Sequence, residues 1–301
     1  MVLNKLKHRF PNSLSNKKDA QDITAYFWLE DLFGETLGIP RSEISVDELR
    51  LLTLLFDPPS LQRLNTSTTY TTWNDFLFGT SVSQPLTNWA NVRFIHFNLA
   101  HADFSHDHFE EAILSFLPSD SDSVLVWENE TAGILIESNI DELLPTQELL
   151  AISSTLESDF YVKIRIYSGR LHPVDMNLHQ HLKQERKCFR LALMYLSDLK
   201  VTDLSDILPI ALMNNRTETD KTWYINELLG KTRQDSELIK TVKTYIECNS
   251  NASSAAKQLY IHRNSLQYRM DKFADKTGLD VRNFRHALAA YLLLLLNEQK
   301  G

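Results

Sequence analysis

The stretch that most constrains this chain runs from Asn251 to Gly278, NASSAAKQLYIHRNSLQYRMDKFADKTG. It reads as two short helices joined by a tight turn. Asn251 is placed to N-cap the first, because its side chain can accept from an orphan backbone N–H. Ala255, Ala256 and Leu259 lie along that helix, and the small residues let a second helix approach closely. Tyr260-Ile261 makes the turn, and His262 or Asn264 can cap the next helix. Leu266, Met270 and Phe273 then fall at i, i+4 and i+7 and face inward. Those three fix an outward face of His262, Arg263, Asn264, Ser265, Gln267, Tyr268, Arg269 and Lys272.

That face has the chemistry of a DNA reader. Arg and Asn or Gln can make paired hydrogen bonds to base edges in a major groove. Hydroxyls and cations can hold phosphates, which positions a protein without specifying sequence. We assign base contact to His262, Arg263, Asn264 and Gln267. Phosphate contact is assigned to Ser253, Ser265, Tyr268, Arg269 and Lys272. The competing explanation is a solvated helix face with no ligand.

The string AAKQLYIHRNSLQYRMDKF resembles the C-terminal helix-turn-helix of the PucR/CdaR-like family of bacterial transcription regulators. Ile261-His262-Arg263-Asn264-Ser265-Leu266, Tyr268-Arg269-Met270 and Thr277-Gly278-Leu279-Asp280 carry the likeness, which covers about a fifth of the chain. The string is also similar to the Fis-type motif, A-A-x-x-x-G-I-N-R-x-T-L. It departs from that motif at the turn, where Tyr260 replaces glycine, and at Ser265, which replaces threonine. The resemblance implies double-stranded DNA as partner, a homodimer, a small-molecule effector of unknown identity and a cytoplasmic location.

Charge distribution agrees. The 301 residues carry a net charge of −8. From Ala252 to His286 there are seven Lys or Arg against three Asp, a net of +4, which leaves −12 elsewhere. An acidic body with a basic terminal module repels phosphate everywhere except at that module. Cys188 and Cys248 belong to no CxxC and read as reduced thiols. The N-terminus lacks a signal-peptide core, and the longest apolar run, Ala287 to Leu296, is too short to span a bilayer.

An α+β chain is expected, in four parts: residues 1–88 a helical segment, 89–172 a ferredoxin-like domain, 173–232 a helical linker, and 233–301 an all-α helix-turn-helix bundle. In the first part, Asp19 to Leu37 reads as a helix, with a second helix capped by Ser42 or Ser45. Thr66 to Thr72 reads as a loop. Val92–Leu99, a helix capped by Ser105 or Asp107, Ser123–Trp127, Gly133–Glu137, a helix over Gln147–Leu156, and Tyr161–Tyr167 give the order β-α-β-β-α-β. His179–Leu199, Leu204–Met213, Trp223–Leu229 and Ser236–Cys248 read as helices. The last helix begins at Asp280 and is apolar nearly all round, so it must be covered on every face. Another domain or a second subunit is expected to cover it.

The resemblance also suggests that residues 89–172 are similar to the palm of GGDEF diguanylate cyclases, in degenerate form. The central hairpin turn is Glu128-Asn129-Glu130-Thr131-Ala132, without a glycine pair. The first strand ends in Asn98-Leu99-Ala100-His101, without an Asp. Two hard-cation ligands are therefore missing, and the domain is expected to serve as scaffold, dimerising unit or ligand sensor. His96, His101, His106 and His108 are dense enough to suggest zinc. They divide, however, between a strand and a helix start, so no metal or other cofactor is expected. The sequence contains no Walker P-loop, GxGxxG, GxSxG or HExxH, and no enzymatic role is expected. The alternative to a DNA-binding regulator is a ligand-binding or protein-interaction module whose helix-turn-helix does not read DNA.

Overall fold

The computed structural model describes residues 2–15, 19–20, 22, 25–30, 36–56, 68–78, 85, 87–101, 103–117, 123–138, 143–214 and 218–298. The chain divides into two compact units, residues 1–201 and 202–301.

The first unit opens with α1 (Val2–Arg9), β1 (Tyr26–Glu30), β2 (Thr36–Pro40), α2 (Val46–Phe56) and α3 (Thr68–Phe78). It continues with β3 (Asn91–Leu99), α4 (His106–Ser115), β4 (Ser123–Trp127), β5 (Ala132–Glu137), α5 (Thr146–Phe160), β6 (Ile164–Pro173) and α6 (Leu178–Tyr195). The two-residue strand β7 (Val201–Thr202) follows. The sheet order is β4-β5-β3-β6-β7, and β3–β5, β3–β6 and β4–β5 are all antiparallel. The first four strands thus have the expected split βαβ arrangement, and β7 extends the sheet.

Alternation along the strands sends side chains to two covered faces. Ile95, Phe97, Leu125, Trp127, Leu135, Ile164 and Ile166 pack with Phe109 and Ile113 of α4 and with Leu149 and Leu156 of α5. The opposite face, through Val92, Phe94, Val124, Val126, Ile134 and Ile136, packs with Tyr70, Trp73, Phe76 and Leu77 of α3 and with Leu178 and Leu182 of α6. Ser105 caps α4, accepting from the His108 N–H. Asn129 closes the β4–β5 hairpin, its Oδ1 accepting from the N–H groups of Thr131 and Ala132, both at 2.9 Å. A cavity of about 30 Å³ between the sheet and α4/α5 is lined only by apolar side chains, a space of about one water.

The N-terminal stretch departs from expectation. The anticipated helix over Asp19–Leu37 is instead the hairpin β1–β2, with Trp28 opposite Gly38 and Leu29 opposite Leu37. Residues 21, 23, 24 and 31–35 of that reading lie outside the described residues. The apolar run Tyr26-Phe27-Trp28-Leu29 suits a strand as well as a helix, and pairing with 36–40 buries Leu29, Leu37 and Ile39. The anticipated loop over Thr66–Thr72 includes the first turns of α3. Burial of Tyr70 and Trp73 there outweighs the weak helix preference of threonine. Residues 66 and 67 lie outside the described residues.

The second unit contains α7 (Leu204–Asn214), α8 (Glu218–Leu229), α9 (Ser236–Glu247), α10 (Ala252–Gln258), α11 (Arg263–Thr277) and α12 (Phe284–Glu298). The last helix starts at Phe284, not Asp280. Its Ala287, Ala289, Ala290, Leu293 and Leu294 are buried against α7, α8 and α9 of the same unit. Helices α7 and α8, expected as linker, thus supply much of its cover. Phe284 is 78% exposed, and Leu288 and Leu295 are each 36% exposed. Among the described residues no helix is long and apolar enough to cross a membrane.

Inside the first unit, Glu185 of α6 is fully buried against β3 and β6. Its Oε1 accepts from the Arg170 N–H at 2.7 Å and from His172 Nε2 at 2.8 Å, while His96 Nε2 lies 3.5 Å from Oε2. A Cβ on Gly169 would overlap this carboxylate and the Phe94 carbonyl oxygen, so only glycine fits there. Burial alone would raise the Glu185 pKa, but the charge and hydrogen bond of His172, with His96 close by, hold it down to about 2. With a folded pKa below the ordinary 4.5, the stabilisation is present above pH 4.5 and is lost as pH falls toward 2. Glu185→Leu leaves two buried imidazoles without their acceptor. It is expected to destabilise the unit by about 3–5 kcal/mol and to flatten the acid limb of its stability profile. Urea titrations followed by tryptophan fluorescence between pH 7 and pH 3 will measure both.

Candidate nucleic-acid interface

Helices α9, α10 and α11 pack on one another. Asn251 caps α10, its Oδ1 accepting from the Ser254 N–H at 3.0 Å. Ala255 and Ala256 are buried, which gives the close approach that small side chains allow. Leu266, Met270 and Phe273 are buried to 0–2% exposure and anchor α11 by one face.

Of the two candidate caps for α11, His262 takes the position. Its Nδ1 accepts from the Asn264 N–H at 3.2 Å. The ring hydrogen must then sit on Nε2, which leaves a donor free for a ligand. His262, Arg263, Asn264, Ser265, Gln267 and Tyr268 are all exposed, as is Ser253 on α10. Gln267 Nε2 donates to Asp271 Oδ1 at 3.1 Å. Among the described residues, no ion pair or side-chain hydrogen bond occupies the Arg263 guanidinium. Seven of the nine expected residues are thus exposed, six at the head of α11 and Ser253 on α10.

Arg269 and Lys272 are placed differently. Arg269 donates to Thr241 Oγ1 at 3.1 Å and pairs with Glu237, both on α9. Lys272 Nζ lies 3.0 Å from Asp235 Oδ2 at the start of α9, and this bond leads the effects that hold the Asp235 carboxyl below its usual range. Both cations are half-buried and tie α11 to α9, so neither lies on the open face. Further round the helix, Arg282 bridges Asp271 and Asp280 at 2.9 and 2.6 Å. Arg282→Lys would lose this forked geometry.

Two exposed residues beside the face had no role assigned from sequence, Lys257 and Tyr260. Lys257 was visible only as part of the net charge. The signal at Tyr260 was the aromatic residue standing where the Fis-type motif has glycine.

Three of the four histidines considered for metal have separate partners. His96 faces Glu185, His101 Nε2 lies 3.2 Å from the Tyr161 carbonyl oxygen, and His106 Nε2 lies 2.8 Å from the Glu130 carbonyl oxygen. The hairpin carboxylate Glu128 is bound to Arg186 at 2.6 Å.

Residues 238–296 match the family model described as the PucR C-terminal helix-turn-helix domain. The chain is 34% identical over 264 residues to "Uncharacterized protein YxkF" of Bacillus subtilis (strain 168), spanning 87% of this chain and 88% of that protein. It is 33% identical over 100 residues to the carbohydrate diacid regulator of Escherichia coli (strain K12), spanning 31% of this chain and 25% of that protein. It is 38% identical over 65 residues to the proline-responsive transcriptional activator PutR of Bacillus subtilis (strain 168), spanning 22% and 16%.

Because Arg269 secures α11 through Thr241 and Glu237, Arg269→Ala is expected to lower the stability of the second unit by about 1 kcal/mol. Thermal melts of the wild type and the variant, compared with Lys257→Ala as an exposed control, will measure the difference. An Arg269→Ala midpoint equal to that of the control would contradict the structural role.

Proposed function

We propose a sequence-specific DNA-binding transcription regulator, and start from this: the chain belongs to the same protein family as YxkF and carries a PucR C-terminal helix-turn-helix domain. The observation that carries the reading is the outward face of α11. There His262, Arg263, Asn264 and Gln267 stand exposed at the head of a helix whose opposite face is fixed by Leu266, Met270 and Phe273. In a helix-turn-helix, the N-terminal residues of the second helix contact base edges. His262, Arg263, Asn264 and Gln267 are assigned to bases. Ser253, Ser265 and Tyr268 are assigned to phosphates. Arg269 and Lys272 serve mainly to hold the reading helix on α9, and they reach phosphate only by giving up their carboxylates.

A single helix reads few base pairs, so specificity calls for two copies. The regulator acts as a homodimer on an inverted repeat, with half-sites roughly 34–36 Å apart. The N-terminal unit serves as scaffold or sensor, a cyclase-like sheet put to non-catalytic use, and responds to a small-molecule effector. The activator PutR is named as proline-responsive, which supports effector control here. The working location is the cytoplasm, where the chromosome lies.

Selection of bound duplexes from a random library, followed by gel-shift titration, tests this reading. One sequence should be enriched, with affinity falling steeply as salt rises. Arg263→Ala should cost about 1–3 kcal/mol on the preferred site and relax selectivity at one base pair. Binding that is indifferent to sequence, or untouched by Arg263→Ala, would favour the protein-interaction alternative.

A further inference from the structure

The end of α10 is unusual in one residue. The Ile261 N–H donates to the Ala256 carbonyl oxygen at 3.0 Å, and the Tyr260 N–H donates to the Lys257 carbonyl oxygen at 3.2 Å. These are the two bonds of a Schellman helix ending, in which the residue after the cap is left-handed and is usually glycine. Here it is Tyr260, at φ 55°. A side chain in that region crowds its own backbone, a cost glycine avoids. The chain does use glycine at the end of α11, where Gly278 sits at φ 77°.

Burial does not offset the strain at Tyr260, because the residue is 95% exposed. A large aromatic held in water and in this conformation stabilises nothing within the fold, and such an outlier beside a candidate interface points to a contact with the ligand. Its neighbours in sequence are the open residues at the head of α11. In a helix-turn-helix, the groove that receives this helix is flanked by phosphates. A phenol offers a hydrogen-bond donor suited to a phosphate oxygen.

We infer that Tyr260 binds the DNA backbone, its hydroxyl donating to a phosphate oxygen beside the groove that α11 enters. The inference rests on the DNA reading above and adds to it a contact outside the recognition helix. Such a contact positions α11 without reading sequence. It carries no charge and releases no counterion, so it differs from a lysine contact in its salt dependence.

The molecule contains a control. Tyr161 ends α5 in the same conformation, at φ 54°, and is 88% exposed, but it belongs to the other unit. Tyr260→Phe, Tyr260→Gly and Tyr161→Gly in the full chain are compared with the wild type. The readouts are thermal midpoint and fluorescence-anisotropy titration on the duplex selected by the wild type. Tyr260→Phe and Tyr260→Gly should each weaken binding roughly tenfold. The loss should be equal on single-base variants of the duplex, and the salt slope should not change. Both glycine variants should raise the midpoint, and Tyr161→Gly should leave affinity unchanged. Tyr260→Phe binding as tightly as wild type, while Arg263→Ala still weakens binding, would overturn the Tyr260 assignment alone. Failure of the wild type to select any duplex would overturn the DNA reading and this inference with it.

Discussion

The seating of α11 by Leu266, Met270 and Phe273 is the constraint on which the second unit depends. All three are buried at one helical stripe, so the rotation of α11 about its axis is set by apolar contact. The polar residues opposite are presented by default. Everything else in the unit holds that setting: the caps at Asn251 and His262, the close packing allowed by Ala255 and Ala256, and the ion pairs from Arg269 and Lys272 to α9. Polar contacts of this sort contribute little individually. Their value lies in fixing geometry around a face that must meet a ligand without rearranging.

How much of this was legible in the sequence follows from how local each signal is. The α11 stripe and the Asn251 cap depend on residues within a few positions of one another, and both are present as read. The β4 strand, Ser123–Trp127, is bounded as expected because its apolar run, buried from Val124 to Trp127, spans nearly the whole element. His262 and Asn264 were equally plausible as caps, and only geometry distinguished them. The pairing of Arg269 with Glu237 and of Lys272 with Asp235 joins residues 32 and 37 positions apart. No spacing rule connects such positions, so both cations read from sequence as open.

The N-terminal stretch illustrates a different limit. Tyr26-Phe27-Trp28-Leu29 is a short apolar run that suits a helix and a buried strand equally well, and its partner strand decides between them. In α3 the opposite occurs: threonines that read as loop are drawn into a helix because Tyr70 and Trp73 have an apolar sheet face to cover. In both cases the deciding energy is burial against a distant segment, which local preference does not contain.

The covering of both sheet faces has a consequence for how this unit can change over time. A sheet of this topology that performs chemistry needs one face, or one end of it, open to a substrate. Here α4 and α5 occupy one face, and α3 and α6 occupy the other. The carboxylate nearest the second face, Glu185, is committed to the His172 imidazole and a backbone amide, with His96 3.5 Å away. Opening either face would require displacing a helix and exposing the aromatics beneath it, a step no single substitution supplies. The unit is therefore free to drift in its loops and strand edges while its closely packed interior resists change.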